Sequence, residues 1–536
     1  MKQYELYKHT PVYTLKELLS FCAEKHGVKP AFQYQSRKTD VGINFLEFKE
    51  DVAALGTYLF EQGYRDAHIA VFGENSYEWI LTHFAVTCGR NVIVPIDKEL
   101  ETEDIAYLLK DSECKVLFFS DTYADVAEEL QKTNSGITFF NMKEIPNMIA
   151  NGKELIAGGN RESIDSTIDK DDLASIVYTS GTTGKPKGVM LTHNNFCSCM
   201  YGACCNVLLT GPSLLILPLH HTFGLVASVF AVMFYGYPVY INKSLKRFSD
   251  DFQKCKLQHL FAVPLIVETL YKNIWVAAQK QGKEKALKLL IKVSDALLKC
   301  KIDLRRKLFR SVLSAFGGNL DLIVSGGAPI EEKYIKGFRS FGITVLNGYG
   351  ITECGPIVAV NRNKCPIPGS VGLPLCCNEV KIADDGEILV KGDNVMLGYY
   401  HNDAENEKVF ADSWFRTGDI GFLDEYGVLH ITGRIKNLII LGNGENIPAE
   451  SIEEEIYTIP YVKECIAYGK DNVIVAEVYL DEEVPDAKDR IDADIQVVNQ
   501  RLPQNRNIGK VVIRDTEFPK TTTKKIKRNY GGQTNA

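Results

Sequence analysis

Eleven residues from Tyr178 to Gly188, YTSGTTGKPKG, combine hydroxyl side chains, three glycines and two lysines, a composition suited to a polyphosphate. Gly181, Gly184 and Gly188 let the backbone approach an anion closely, so that successive N–H groups converge on its oxygens. Thr179, Ser180, Thr182 and Thr183 add hydroxyl donors, and Lys185 and Lys187 add charge. The segment is not a Walker A loop. Thr179 stands where that loop needs its first glycine, and Pro186 stands where it needs Ser or Thr. A nucleotide site of a different construction is expected.

Two further blocks follow in the same chain. Asn347 to Pro356 reads NGYGITECGP, and Trp414 to Arg434 reads WFRTGDIGFLDEYGVLHITGR, continuing from Ile435 to Glu454 as IKNLIILGNGENIPAESIEE. With these blocks in this order, closed by PKTTTKKIKR, the chain resembles the adenylate-forming superfamily of acyl-CoA synthetases, firefly-luciferase-like enzymes and peptide-synthetase adenylation domains. The wording of LDLIVSGGAPI, GSVGLPL, GEILVKGDNVMLGYY and GRIKNLIILGNGENI is most similar to bacterial long-chain fatty acyl-CoA synthetases.

The resemblance implies a reaction in two halves. A carboxylate attacks the α-phosphate of ATP to give acyl-AMP and pyrophosphate, and a thiol then displaces AMP. The first half calls for a cation, a metal and fixed donors to neutralise charge on the phosphate. On this resemblance Glu353 is the Mg²⁺ ligand, with Thr352 beside it on the α-phosphate; a hard cation prefers such oxygens. Tyr349, flanked by Asn347, Gly348 and Gly350, is expected to stack on adenine. Gly326, Gly327 and Ala328 of the Ser325–Pro329 segment would line the other side of the base. Asp419 would accept both ribose hydroxyls, with Arg434 sharing the sugar.

Lys525 would supply the positive charge between carboxylate and α-phosphate. The family has glycine where this chain has Lys524, so either lysine could serve; spacing from Pro519 favours Lys525. Rotation of a small domain about a hinge at Lys436 is implied for the second half, bringing the loop Leu441–Asn446, with Gly442 and Gly444, to the thiol of CoA. His221, in LPLHHTFG, matches the histidine of the acyl site, and His220 stands where an aromatic residue is common. The expected substrate is a medium- or long-chain fatty acid. The alternative is a stand-alone adenylating enzyme that loads an acyl or aryl acid onto the phosphopantetheine of a separate carrier protein, no carrier domain being expected after Lys525.

The elements that must position these residues are legible as pattern. The runs HIAVFGENS, NVIVPID, CKVLFFSD, LASIVYTS, SLLILPL, LDLIVSGGAP and GITVLNGYG are short, apolar and end in turn residues, with segments of helical period such as Phe45–Gln62 and Glu103–Lys110 between some of them. This alternation predicts an α/β fold with layered, largely parallel sheets and ligands at the C-terminal strand ends. After Gly369 a β-rich subdomain is expected to complete a large domain over residues 1–433. A small, mobile α+β domain is expected over 434–536, with strand-like Asn437–Leu441, helix Ala449–Tyr457 and strands Cys465–Gly469 and Val473–Leu480.

The 536 residues are 45% hydrophobic and 24% charged, an ordinary globular composition. A net charge of -7 argues against nucleic acid or an anionic membrane as the main partner. The N-terminus has no apolar stretch of signal-peptide length, so a cytoplasmic protein is expected. The uncharged run Phe223–Ile241 is divided by Gly224, Gly236 and Pro238, which predicts a core helix and strand rather than a membrane span. The fourteen cysteines are expected to be reduced. Cys197, Cys199, Cys204 and Cys205 lack metal-ligand spacing and are expected to be small buried residues on a helix, as are Cys376 and Cys377.

Overall fold

The computed structural model describes residues 5–36, 39–179, 185–242, 248–440, 446–520, 526 and 528. The chain packs into two compact units, one of residues 1–379 and 390–415, the other of residues 380–389 and 416–536.

Two large sheets organise the first unit. In one, Leu173–Thr179, Val92–Ile96, His68–Phe72, Val116–Phe119 and Thr138–Asn141 run parallel in that spatial order. Lys187–Thr192 and then Gly398–Tyr399 extend its edge antiparallel. In the other, Pro30–Ser36, Val239–Ile241, Ser213–Leu215, His259–Ala262, Leu322–Ser325 and Thr344–Tyr349 run parallel. Antiparallel strands close both of its edges.

The parallel strands read as unbroken apolar runs because both of their faces are buried, as in Val92–Ile96 and Leu322–Ser325. The helices predicted over Phe45–Gln62 and Glu103–Lys110 are found at Phe45–Glu61 and Thr102–Asp111. A chain of buried rings runs through the core. Phe32 of the second sheet meets Phe48 at 4.8 Å, Phe48 meets Phe84 at 5.2 Å, and Phe84 meets Phe230 at 5.4 Å. Such edge-on pairs add about 0.5–1.5 kcal/mol each beyond their buried area.

The run Phe223–Ile241 forms helical turns and a strand, as predicted. Thr222–Leu225 leads into a π-helical turn, Val226–Phe230, then Ala231–Tyr235 and the strand Val239–Ile241. Among the described residues no helix is long and apolar enough to cross a membrane. Cys197, Cys199, Cys204 and Cys205 are buried on the helix His193–Asn206. Cys376 and Cys377 depart from expectation. Cys376 is exposed and Cys377 half-buried, because they form the tip of a turn between the strands Leu373–Pro374 and Asn378–Ile382.

The second unit contains residues 416–423 of the strand Trp414–Leu423, paired antiparallel with Leu429–Arg434, followed by the hairpin Leu438–Ile440 and Asn446–Pro448. Its last sheet pairs Val462–Lys470 with Val473–Leu480 antiparallel and Val473–Leu480 with Ile508–Arg514 parallel. Ala449–Ile456 and Ala487–Asn499 cover it, burying Ile452, Ile456, Ile491 and Ile495 in one core.

Candidate active site

The 178–188 segment begins at the end of strand Leu173–Thr179 and finishes on the antiparallel strand Lys187–Thr192, with Thr179 opposite Lys187. Ser180, Gly181, Thr182, Thr183 and Gly184 lie outside the described residues. Lys185 is exposed, and Lys187 is largely buried, paired with the Glu405 carboxylate and lying 5.1 Å above the ring of Tyr399. A cavity of about 380 Å³ opens beside this turn, lined by Lys185, Lys187, Tyr107, Asp111 and His401 among others. Thr192 then caps the helix His193–Asn206 through a capping box with Asn195, so the strand passes directly into the helix.

The side chain of Asn195 also reaches the Asp393 and Val395 carbonyls, at 2.8 and 2.9 Å. That holds the 393–396 segment against the TE block, where Met396 N–H donates to the Glu353 carbonyl at 2.9 Å. Thr352–Cys354 form a single 3₁₀ turn stopped by Gly355 in the left-handed conformation. A side chain at Gly355 would meet the Asn195 and Asn394 carbonyls, at 2.8 and 3.0 Å, so only glycine fits. The Glu353 carboxylate accepts a 2.8 Å hydrogen bond from the Tyr399 hydroxyl. Burial, then the neighbouring Glu353 charge, pushes the Tyr399 phenol up, so it stays a donor. Lys187, Tyr399 and Glu353 thus form one connected group. The sequence marked its two ends; nothing local marked Tyr399.

Asn347 and Ser325 occupy register-matched positions at the C-terminal ends of adjacent parallel strands. Each carries a buried side-chain oxygen, Asn347 Oδ1 and Ser325 Oγ, without a hydrogen-bond partner among the described residues. Buried polar atoms without partners are rare, and a base bearing an amino group would satisfy them. Tyr349, the last residue of its strand, is half-buried with Gly348 and Gly350 beside it. A Cβ on Gly350 would overlap the Pro356 carbonyl oxygen. Gly326, Gly327 and Ala328 follow Ser325 as a loop, and the Phe223 ring packs over Gly326.

His221 is the residue before the helical turn Thr222–Leu225. With His220 and Asp97 it brings three ligand-type atoms within 4.8 Å of one another. His220 Nε2 lies 3.4 Å from Asp97 Oδ1, and burial, reinforced by His221, draws His220 down to about 3. Asp97 comes from a distant strand end and went unpredicted. Beyond Phe223 lies a small cavity of about 30 Å³ whose lining is wholly apolar, including Ala203, Cys204, Ala227, Phe261 and Val324.

In the second unit Asp419 and Arg434 are cross-strand partners. Arg434 Nε lies 2.5 Å from Asp419 Oδ1, and its terminal nitrogen donates to Oδ2 at 3.4 Å. Asp419 is buried, and Arg434 is half-buried. Lys436 lies in the 3₁₀ turn Ile435–Asn437; its ammonium is drawn down by its protein surroundings, then by the charge of Arg434. Gly442, Gly444 and Lys525 lie outside the described residues, as does Lys524. On either side of the two lysines, Lys520 and Ile526 form an antiparallel bridge, and Arg528 pairs with the buried Glu453 carboxylate.

Residues 20–400 match the AMP-binding enzyme family. The chain is 31% identical over 500 residues to the 2-succinylbenzoate–CoA ligase of Listeria monocytogenes, covering 90% of this chain and 93% of that protein. It is 29% identical over 516 residues to the long-chain-fatty-acid–CoA ligase FadD15 of Mycobacterium tuberculosis, covering 86% and 85%. Among solved structures, the O-succinylbenzoate Coenzyme A synthetase of Bacillus subtilis in complex with ATP and magnesium superposes with a TM-score of 0.74 over 95% of this chain and 98% of that one, at 24% identity. The chain belongs to the AMP-binding enzyme family and is an adenylate-forming acid–CoA ligase.

Proposed function

We propose that the acid is a medium- or long-chain fatty acid, activated with ATP and Mg²⁺ and transferred to CoA. The observation that carries this reading is the apolar cavity beyond Phe223. Among the described residues its lining offers no charged side chain. 2-Succinylbenzoate bears a second carboxylate, and burying that charge against such walls without a cation is strongly unfavourable. A hydrocarbon tail incurs no such cost. At about 30 Å³ the cavity holds about one water's share of liquid volume, so a tail enters by displacing side chains. The π-helical turn Val226–Phe230 forms part of the wall, and such turns recur at functional sites.

In this reading Asn347, Tyr349 and the loop Gly326–Gly327–Ala328 take the adenine, and Asp419 with Arg434 takes the ribose. The 178–188 segment, with Thr179, Ser180, Gly181, Thr182, Thr183, Gly184, Lys185 and Lys187, holds the phosphates. Glu353 and Thr352 offer hard oxygen donors and would hold Mg²⁺, which when bound supplies positive charge to the phosphate oxygens. Tyr399 fixes the orientation of the Glu353 carboxylate. Lys525 stabilises the charge that develops as the acid attacks, and His221 borders the acyl group. Movement of residues 434–536 about Lys436 then brings the Gly442–Gly444 loop to the thiol.

The test is mass-spectrometric detection of acyl-CoA after incubation with ATP, Mg²⁺, CoA and an equimolar panel of fatty acids, aryl acids and 2-succinylbenzoate. Fatty acyl-CoA is the expected product. Selective formation of 2-succinylbenzoyl-CoA overturns the reading. Acyl-AMP that accumulates without any CoA thioester assigns the thiol to a carrier protein.

A further inference from the structure

Asp97, His220 and His221 come from two different sheets and meet with one ligand atom each, all within 4.8 Å of one another. Asp97 follows the strand Val92–Ile96 of the first sheet, and the two histidines lie a few residues beyond Ser213–Leu215 of the second. Neighbouring groups hold this meeting in place. Asn75, just past the strand His68–Phe72, clamps the loop that carries the histidines: its amide donates to the Leu217 carbonyl at 2.8 Å and accepts the Leu219 N–H at 3.1 Å. The Glu99 N–H donates to Asp97 Oδ1 at 3.0 Å and fixes the carboxylate, as the partners behind metal ligands commonly do. His220 Nε2 stands 3.4 Å from the same oxygen; it is enclosed and has no hydrogen-bond partner among the described residues. A buried nitrogen in that state is rare and calls for a ligand.

We propose that Asp97, His220 and His221 form a binding site for a divalent transition metal of the zinc type, and that the metal inhibits the ligase by competing with the acid. Two imidazoles and one carboxylate are donors that such an ion prefers, whereas Mg²⁺ takes oxygens and is left to Glu353 and Thr352. Zinc bonds of about 2.0–2.1 Å at tetrahedral angles separate neighbouring ligand atoms by about 3.4 Å. His220 and Asp97 already stand at that separation. His221 lies within the 4.8 Å limit, and a turn of its ring completes the set. Three protein ligands leave the fourth position to water. Lys98, the next residue after Asp97, pairs with Glu99 at 3.5 Å, which offsets its repulsion of a cation.

Inhibition follows because a metal-bound His221 is turned toward the ion and away from the acid. This consequence rests on reading His221 as the residue that borders the acyl group; metal binding does not.

The experiment titrates metal-free, full-length enzyme with Zn²⁺ in a metal buffer and records X-ray absorption at the zinc edge on the sample holding one equivalent. A shell of nitrogen and oxygen with two imidazoles and no sulfur is expected. Pyrophosphate release with the preferred acid is followed in parallel at saturating Mg²⁺. At free Zn²⁺ about ten times its dissociation constant, the apparent KM for the acid should rise about tenfold, the mass-action value for exclusive binding, while that for ATP stays unchanged. Asp97→Asn and His220→Gln each remove one ligand. Each should weaken Zn²⁺ binding by at least about 100-fold, the upper end of what loss of a mere supporting partner costs. Inhibition should weaken with it, each variant being compared with its own metal-free rate and shown to be folded by thermal unfolding. Sulfur in the shell assigns the metal to cysteines such as the exposed Cys300 and Cys376 and overturns the site. So does the absence of a bound equivalent at free Zn²⁺ in the micromolar range, or an unchanged affinity in either folded variant. Binding at the trio with no rise in KM for the acid overturns the inhibitory role. Failure of the enzyme to make any fatty acyl-CoA is a separate result against the assignment of the acid alone, and competition is then read with whichever acid the enzyme activates.

Discussion

Glu353 cannot be understood apart from Tyr399. A carboxylate on a short 3₁₀ turn could take several orientations, and the 2.8 Å hydrogen bond from a buried phenol selects one. Groups that orient a metal ligand typically contribute about 10–100-fold to metal affinity. Tyr399→Phe keeps the ring over which Lys187 lies and removes only the hydroxyl. It is therefore expected to raise the Mg²⁺ concentration for half-maximal pyrophosphate release by about tenfold, with an unchanged unfolding midpoint. An unaltered Mg²⁺ requirement would show that the hydroxyl does not orient a metal-binding carboxylate. The TE pair stood out in the sequence because glycines crowd around it. Tyr399 did not, because its partner lies 46 residues away and a tyrosine in GYY reads as ordinary β-sheet packing. Asp97 escaped notice beside His220 for the same reason: its role comes from the meeting of distant strand ends.

Strand runs such as NVIVPID and LDLIVSGGAP were legible because strands buried on both faces must be continuously apolar, and the observed strands fall within them. Less legible was the turn at Cys376, where two thiols in an apolar stretch, LPLCCNEV, look like core although one is exposed. The helical run from Thr222 to Tyr235 was also only half readable. Its helical character followed from composition, but the π turn Val226–Phe230 did not, since it changes the hydrogen-bond register without altering residue type. That turn carries Ala227 in the cavity wall. Ala227→Val adds two methyl groups beside a cavity of about 30 Å³ and should shift the acyl-CoA product profile toward shorter chains. Overpacking of this kind costs about 1–3 kcal/mol, so thermal unfolding should be followed alongside. A shorter profile with a modest drop in midpoint is the expected result. An unchanged profile would place the acyl tail elsewhere.

Of the five buried histidines of the first unit, four are drawn well down. Burial draws His83 and His220 down to about 3, and His193 and His259 to about 4. Geometry agrees for two of them. His193 Nδ1 accepts the Leu15 N–H at 3.2 Å, and His259 Nε2 accepts the Thr210 N–H at 2.9 Å, which a protonated ring could not do. Each folded-state pKa lies below the unfolded value of about 6.5, so the unfolded chain binds the extra protons. The stability these groups contribute is complete above about pH 6.5 and is lost as pH falls toward the folded values, at up to about 1.4 kcal/mol per pH unit for each. Denaturant midpoints measured from pH 7 down to pH 4 should therefore fall steeply, and His259→Asn should make the slope shallower. A flat profile would mean that these rings are charged in the native state.

The two half-reactions of the proposed mechanism ask for different groups. Adenylation needs a cation where negative charge builds up, and thiolation needs that place vacated for the CoA thiol. Lys525 follows strand Ile508–Arg514 in sequence, just before the anchor of Arg528 on Glu453. Lys436 lies in a one-turn link between two strands, where the chain can change direction over few dihedrals. Lys525→Ala should lose adenylation by about 10²–10³-fold, the usual cost of removing one preorganised charge-stabilising group, while acyl-AMP supplied directly is still converted to acyl-CoA. Lys436→Pro, which fixes φ at the link, should do the opposite, leaving pyrophosphate release near normal and slowing thioester formation. Single-turnover assays of each half resolve the two effects. Parallel loss of both halves in Lys436→Pro would make position 436 a support for the folded unit and not a hinge. Normal adenylation in Lys525→Ala would move the catalytic charge to Lys524, whose own alanine variant should then show the missing loss.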